Sequence, residues 1–365
     1  FLKKHRASSG GTFTHTSISG NRGSFFIPDN DLEEFFGLYY DHVFNKKLPA
    51  HLTEGIRDCP ITPVKIDLDF RKYKHTDKEI PDKIYDIEDI IKIAQRYMKA
   101  MEEWLVSPDP EERYCFILEK PNARYDLDKN GTIKTNEKGE KRIKDGVHIM
   151  FPYIITNTHL QLKFRDEVYK KVGDILDKYE YDESYAEIFD RAVIDRNNWQ
   201  MYGSNKGTSF STYKVTKIIE VYENDFSEID NEKYTDETLM RLLSVRNRED
   251  ASMIQYEKKL ILDDMMEKQR VIEAKKRKYS SRSKTSKNKT NKDELRLVLG
   301  YSENGKTYNG FVDCLSLERA RNYETWIEVG WALHNIDNTS RKFSKSKEQY
   351  NLTKDKVWCD LLCKW

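Results

Sequence analysis

Two aspartates stand two positions apart inside an apolar stretch, "PVKIDLDF", at residues 63–70. Alternating apolar and polar residues are typical of a β-strand, on which side chains i and i+2 point to the same face. Asp67 and Asp69 should therefore project together, about 7 Å apart at the backbone. Neighbouring carboxylates repel each other unless a cation joins them, and their oxygens suit Mg²⁺ or Mn²⁺. An ordinary surface strand with two solvated aspartates is the alternative from this stretch alone.

Composition excludes several classes of protein but selects no partner. The 365 residues contain 63 Lys and Arg against 62 Asp and Glu, so an electrostatic binding surface must come from local clustering. The five cysteines include no CxxC pair, which favours reduced thiols in an intracellular protein without a structural zinc site. No apolar run approaches the roughly 20 residues of a membrane span. Because the chain begins at Phe1 and ends within an apparently structured segment, we expect a fragment of a longer protein.

Strands and helices are mixed through residues 1–225, which predicts an α+β fold with a largely antiparallel sheet and helices on one face. Apolar residues at helical spacing predict helices at residues 28–48, 87–106 and 159–180. Apolar runs and alternation predict strands at residues 64–70, 113–120, 145–156 and 213–222. Residues 121–145 contain Asn-Gly and Lys-Gly turns and predict a polar hairpin.

The chain divides into four predicted regions. Residues 1–230 form the core, and residues 231–274 form a charged helical segment. Residues 275–292 combine a dense Lys/Arg run with Ser, Thr and Asn, a composition that cannot bury enough apolar surface to fold, and we expect a basic flexible linker. Residues 293–365 are predicted to be a small, truncated helical domain.

Two further stretches combine polar residues with apolar neighbours. "DGVHIMFP" contains His148 in an apolar strand, with Lys144 just upstream. "FDRAVIDRNNWQMYGSNKG" contains a third carboxylate, Asp190 or Asp195, followed by four polar candidates, Arg196, Asn198, Ser204 and Lys206. Taken alone, His148 could be a buried structural histidine and the second stretch a polar loop with a helix cap. Together with Asp67 and Asp69 they would fit a site for metal and nucleotide.

The ordered set "KIDLDF", "GVH" and "FD" resembles the motif pattern of the archaeo-eukaryotic primase superfamily. The downstream "RNNWQMYGSNKG" resembles the stretch in which an Arg, a Ser and a Lys of that family line the nucleotide pocket. "LSLERARNYETWIEVGWALHNI", at residues 315–336, is similar to the small helical domain that follows the catalytic core in primase-helicases of large DNA viruses. The resemblance covers most of residues 10–225 and 310–365.

The resemblance implies an RRM-like catalytic sheet with an N-terminal α/β unit. It also implies a DNA-templated nucleotidyltransferase that makes primers, with primer extension as a further expected activity. Asp67, Asp69 and Asp190 would bind two divalent ions, Mg²⁺ or Mn²⁺. The incoming NTP or dNTP would be bound by Lys144, His148, Arg196, Asn198, Ser204 and Lys206. The implied partners are a single-stranded DNA template and a C-terminal helicase. We expect no membrane contact, a monomeric fragment, and an intracellular site of viral replication, in the cytoplasm rather than the nucleus.

Two positions depart from the family pattern, and two other functions stay open. Gly146 stands where the family often has Ser, and Gln200 stands where an Arg is common. Candidate template contacts are Lys3, Lys4, Arg6 and the basic run at 275–278.

One alternative function is that of a non-catalytic module that binds single-stranded nucleic acid, although the central strand offers carboxylates instead of the stacking aromatics such modules use. The other is a metal-dependent nuclease.

Overall fold

The computed structural model describes residues 1–268 except Ser9, 75–78, 107–108, 208–210, 247 and 249. The predicted linker at 275–292, the predicted domain at 293–365 and the end of the segment at 231–274 lie outside the described residues. The strands are β1 His15–Ser17, β2 Gly23–Phe25, β3 Leu52–Glu54, β4 Ile61–Lys74, β5 Tyr114–Glu119, β6 Arg124–Tyr125, β7 Lys141–Asn157, β8 Trp199–Gln200, β9 Lys214–Val221 and β10 Phe226–Ile229.

The helices within the described ranges are mostly short. They are α1 Leu32–Tyr40, α2 Ile87–Glu102, α3 Thr158–Tyr169, α4 Gly173–Leu176, α5 Tyr185–Ile188, α6 Ala192–Asp195 and α7 Asp236–Leu242, followed by a helix at residues 256–268. A π-helical turn at Asp41–Asn45 extends α1. Within the described part of the chain, no helix is long and apolar enough to cross a membrane.

The main sheet is antiparallel, with strand order β10-β9-β5-β7-β4 and β6 paired to β7. Strands β4 and β7 form its longest ladder, from Ile61 opposite Asn157 to Lys74 opposite Lys141. The register shifts once, between Pro63 and Val64. The predicted α+β fold is confirmed.

One face of this sheet is covered by helices because alternate strand residues are apolar. Ile66, Leu68 and Phe70 of β4 are buried in a core that includes the apolar side of α2 and of α3. The predicted helix at 159–180 is wrong in its length, since α3 ends at Tyr169 and α4 begins only at Gly173. Glycine disfavours a continuous helix, and the break lets Val172 and the apolar residues of α4 reach the same core.

The opposite face of the main sheet is partly covered by the N-terminal unit and by the chain after β7. The N-terminal unit is a four-stranded sheet, in the order β2-β1-β3-β8, packed with α1. Trp199 of β8 joins a second core with Phe116 and Met150 of the main sheet, and Leu239 of α7 also lies in that core. This covering stops short of Asp69, whose side chain is 26% exposed.

The start of β4 is held by one buried side-chain amide, that of Gln161. Gln161 of α3 donates hydrogen bonds from Nε2 to the Thr62 and Pro63 carbonyls and to Thr62 Oγ1. Its Oε1 accepts from Lys65 Nζ. These bonds reach backbone carbonyls beside the register shift, where a strand ladder is locally disrupted.

We predict that Gln161→Leu destabilises the fold by about 2–4 kcal/mol, because several buried polar groups lose their partner at once. Gln95→Leu, the same change at a half-buried position of α2, should cost less than about 1 kcal/mol. Urea unfolding of both variants measures the difference. Equal losses would show that Gln161 does not support the start of β4.

Candidate active site

The β4–β7 register brings four of the sequence-predicted residues into one place. Asp67 lies opposite His148 and Asp69 lies opposite Gly146. His148 Nε2 is 3.6 Å from Asp67 Oδ1, and Lys144 Nζ is 3.6 Å from Asp69 Oδ1. Residues about 80 positions apart in sequence therefore share one surface of the sheet.

Asp67 and Asp69, the aspartate pair, differ in how their charge is compensated. Burial and the nearby Asp69 raise the pKa of Asp67 to about 7, against an opposing effect of Lys206. Asp67 Oδ1 is buried and has no hydrogen-bond partner among the described residues. For Asp69, burial acts to raise the pKa, but Lys144 and Arg71 outweigh it and the pKa is lowered. The pair therefore contains one well-compensated carboxylate and one that lacks a partner.

Three lysines, Lys120, Lys144 and Lys206, surround the aspartate pair, and we call them the cationic cluster. Burial, followed by the proximity of Lys206 and Lys144, lowers the pKa of Lys120 to about 8. Burial also lowers the pKa of Lys144, although Asp69 opposes this shift. Lys206 is exposed and acts on both aspartates. Lysines placed this close to one another repel, and a polyanionic ligand would relieve that repulsion.

His148 lies in an aromatic enclosure next to Asp67. Its ring stacks on Tyr213 at 3.6 Å between centroids and lies 4.4 Å from Trp199. Burial, together with Lys120 and Lys206, lowers the pKa of His148 well below its usual value. A neutral imidazole has one donor and one acceptor nitrogen. His148 can therefore form directed hydrogen bonds to a ligand without adding charge.

Asp190 is closer to the aspartate pair than Asp195 is. Asp190 N donates to the Asp67 carbonyl over 2.9 Å, and Asp190 is among the charges that raise the pKa of Asp67. Its Oδ1 accepts from Ala192 N at the start of α6. The Asp195 carboxylate instead pairs with Arg191 and Arg196. The geometry favours Asp190 as the third carboxylate.

The three carboxylates are not drawn together into a formed metal centre. Over the described ranges, no group of three or more His, Cys, Asp and Glu side chains is arranged to hold a metal ion. Asp67 and Asp69 project from the same face of β4, whereas Asp190 uses one oxygen as a helix cap. Asp190 as a metal ligand therefore stays a prediction.

Of three other predicted nucleotide ligands, Ser204 and Asn198 connect the N-terminal unit to the loop after α6. Ser204 is buried, and its hydroxyl bonds to the Tyr39 hydroxyl and accepts from Leu52 N. Asn198 donates to the Thr16 hydroxyl. Arg196 is 63% exposed and bonds to Asp195. These contacts are structural, and a role of the three residues in nucleotide binding stays a prediction.

Lys120, Tyr213 and Arg71 also lie at the site but were not among the site residues predicted from the sequence. Lys120 could have been found, because it ends a predicted strand that must neighbour the motif strands. Tyr213 carried no signal, since its position against His148 depends on the register of β9 on β5. Arg71 follows Asp69 at i+2 and therefore shares its face, a spacing that the alternation argument could have used.

The match to a family model agrees with this geometry. The model described as "C962R protein N-terminal AEP domain" matches residues 14–219, which include the aspartate pair, His148, Asp190 and the cationic cluster. The chain belongs to this archaeo-eukaryotic primase (AEP) family. A second model, "Primase C terminal 2 (PriCT-2)", matches residues 309–362, outside the described residues. The two matches support a primase-type role in replication.

Two viral proteins are similar to this AEP chain, and the name of each describes it as a helicase. L207/L206 of Acanthamoeba polyphaga mimivirus is 26% identical over 346 residues, which cover 89% of this chain and 33% of that protein. 184R of Invertebrate iridescent virus 6 is 23% identical over 235 residues, which cover 60% of this chain and 22% of that protein. The chain thus spans about a third or less of the length of these relatives.

Gly146 is required by the close approach of Tyr213. A Cβ at position 146 would lie 2.8 Å from the Tyr213 hydroxyl and 3.2 Å from the Leu68 carbonyl. The absence of a side chain at Gly146 therefore allows Tyr213 to lie over His148. The departure from the family's common Ser has a steric reason in this chain.

We predict that Gly146→Ala destabilises the protein by about 1–3 kcal/mol through overpacking. The double variant Gly146→Ala/Tyr213→Phe should recover part of that loss, because phenylalanine lacks the hydroxyl that collides. Thermal unfolding of the two single variants and the double variant forms the required cycle. Additive losses would show that the two positions do not conflict.

Proposed function

We propose that this chain is the catalytic primase module of a viral replication protein, a DNA-templated nucleotidyltransferase that makes primers and extends them. The observation that carries the proposal is the position of the aspartate pair, beside neutral His148 and beneath the cationic cluster. Carboxylates that bind metal, next to lysines that bind phosphates, are the groups that nucleotidyl transfer requires. The family match supports the same chemistry.

The aspartate pair fits a divalent cation, Mg²⁺ or Mn²⁺. Asp67 Oδ1 is a buried oxygen for which the described residues provide no donor, and carboxylate oxygens are the preferred ligands of both ions. Two bound ions would lower the pKa of the attacking 3′-hydroxyl and neutralise the triphosphate. We propose Asp67 and Asp69 as ligands, with Asp190 completing the set.

The remaining side chains of the site would bind and orient the nucleotide. Lys120, Lys144 and Lys206 would pair with the phosphate oxygens. His148 can donate or accept one directed hydrogen bond, since Tyr213 and Trp199 fix the plane of its ring. The burial of Asp67 and His148 limits the access of water to this side of the site.

The wider setting of the module follows from its relatives. We propose a single-stranded DNA template as the polymeric substrate, and a helicase region in the longer protein to which the chain would belong. The action would take place at a viral replication site inside the host cell. The names of the two viral relatives support the helicase part of this proposal.

The test is synthesis by the full 365-residue chain on unprimed single-stranded DNA. Labelled NTPs or dNTPs would be supplied with Mg²⁺ or Mn²⁺. We predict short products that are lost in Asp67→Asn/Asp69→Asn, because the amides cannot neutralise a cation. Asp225→Asn, an exposed change in the turn at the opposite edge of the sheet, should leave product yield unchanged.

Three other outcomes separate the alternatives. Extension of a supplied primer without synthesis on unprimed DNA would indicate a polymerase whose initiation needs further regions. Metal-dependent shortening of a labelled strand in the absence of nucleotides would favour a nuclease. Binding of single strands with neither activity would contradict the proposal and favour a binding module.

A second prediction identifies the third carboxylate. Asp190→Asn keeps an oxygen that can cap Ala192 but loses the charge, so synthesis should fall steeply while the melting temperature changes little. Asp195→Asn should retain most synthesis, because its carboxylate pairs with Arg191 and Arg196. The opposite ranking of the two variants in the synthesis assay would assign Asp195 instead.

A further inference from the structure

Arg71 lies on the same face of β4 as the aspartate pair and contacts Asp69 directly. Its Nη2 donates to Asp69 Oδ2 over 2.9 Å. The other oxygen, Asp69 Oδ1, faces Lys144 across the ladder. The two oxygens of Asp69 are therefore oriented by two different cations.

The Arg71 guanidinium is itself fixed by acidic residues on the side away from Asp69. Its Nη1 donates to Glu183 Oε1, and its Nε is 3.7 Å from Asp126 Oδ2. Asp126 and Glu183 are largely buried, with side-chain exposures of 8% and 10%. The Arg71 carbonyl also accepts from Asp182 N over 3.1 Å, which fixes the adjoining chain. A guanidinium with this many partners has little freedom to rotate.

Arg142 belongs to the same network but does not reach the aspartate pair. It pairs with Asp126 over 3.2 Å, with Glu183 over 3.3 Å and with Asp182 over 2.8 Å. Arg71 and Arg142 thus share their acidic partners and have similar side-chain exposure, 20% and 16%. Among the described contacts, only Arg71 of these two bonds to Asp69. The chain therefore contains a matched control for Arg71.

We propose that Arg71 is a positioning residue for the divalent-cation site: its guanidinium, fixed by Glu183 and Asp126, restricts the rotation of the Asp69 carboxylate, which would hold the cation together with Asp67. The inference rests on the proposed function, because it assumes that the aspartate pair binds a divalent ion. Groups that orient a ligating carboxylate by hydrogen bonding change metal affinity without touching the metal.

Whether the removal of Arg71 weakens or strengthens metal binding distinguishes a positioning role from simple charge repulsion. Arg71 carries a positive charge beside a cation site, so charge repulsion alone predicts that its removal strengthens metal binding. Positioning predicts the reverse, since a released Asp69 carboxylate must be ordered when the ion binds. A purely structural role predicts that Arg71 and Arg142 variants behave alike.

The experiment measures Mn²⁺ affinity of the full chain by electron paramagnetic resonance titration, without and with a nucleoside triphosphate. Arg71→Met should weaken Mn²⁺ binding about 10–100-fold, the range typical of residues that orient metal ligands. Arg71→Lys, which keeps the charge but lacks the planar fork, should also weaken it and serves if Arg71→Met does not fold. Arg142→Met should change affinity less than about threefold, well below that range.

Each remaining outcome has a defined consequence. Unchanged or tighter Mn²⁺ binding by folded Arg71 variants would overturn the positioning role while leaving the aspartate pair as the metal site. Equal weakening in Arg71→Met and Arg142→Met would assign the effect to the network as a whole and also overturn it. Wild-type binding that survives in Asp67→Asn/Asp69→Asn, or no wild-type binding at all, would contradict the metal site of the proposed function itself.

Discussion

The pairing of β4 with β7 is the constraint on which the site depends. This ladder places Asp67 against His148 and Asp69 against Gly146, and no short-range sequence interaction could do so. The alternation of side chains along β4 then assigns the apolar residues to the helix-covered core and the carboxylates to the other face. A shift of one residue in this register would bury the carboxylates among α2 and α3. Stability of the core and placement of the site are therefore set by the same ladder.

Asp67 and Asp69 are neighbours on one face of β4, but their charges are compensated to different extents. Asp69 is balanced by Arg71 and Lys144, whereas Asp67 has a buried oxygen without a partner. A buried carboxylate without a partner is costly to a fold, and such costs commonly occur where a ligand supplies the missing interaction. The lysines of the cationic cluster also repel one another, which is a further cost to the fold. The site thus contains a carboxylate without a partner and lysines that repel one another. This is the arrangement expected of a site that binds a metal ion and a triphosphate together.

Much of this arrangement could be predicted from the sequence because it depends on local periodicity. The alternation around Asp67 and Asp69 fixed their common face, and the ordered motifs identified His148 and Asp190. The sequence did not reveal contacts that depend on register, such as Tyr213 over His148. It also missed the break at residues 170–172, because the apolar spacing of 159–180 continues across it while α3 ends at Tyr169 and α4 begins at Gly173. The buried hydroxyl of Ser204 shows the limit of motif reasoning, since its observed partners are Tyr39 and Leu52.

We propose that the fold keeps Asp67 and Asp69 together, at a cost in stability, because the pair binds a divalent cation. The most direct measurement is the unfolding free energy of the wild type and of Asp67→Asn at pH 8, with and without Mn²⁺. Without metal, the variant should be more stable, because it removes a buried charge beside Asp69. Mn²⁺ should stabilise the wild type and leave the variant nearly unchanged. A less stable variant, or equal stabilisation of both proteins by Mn²⁺, would contradict the claim.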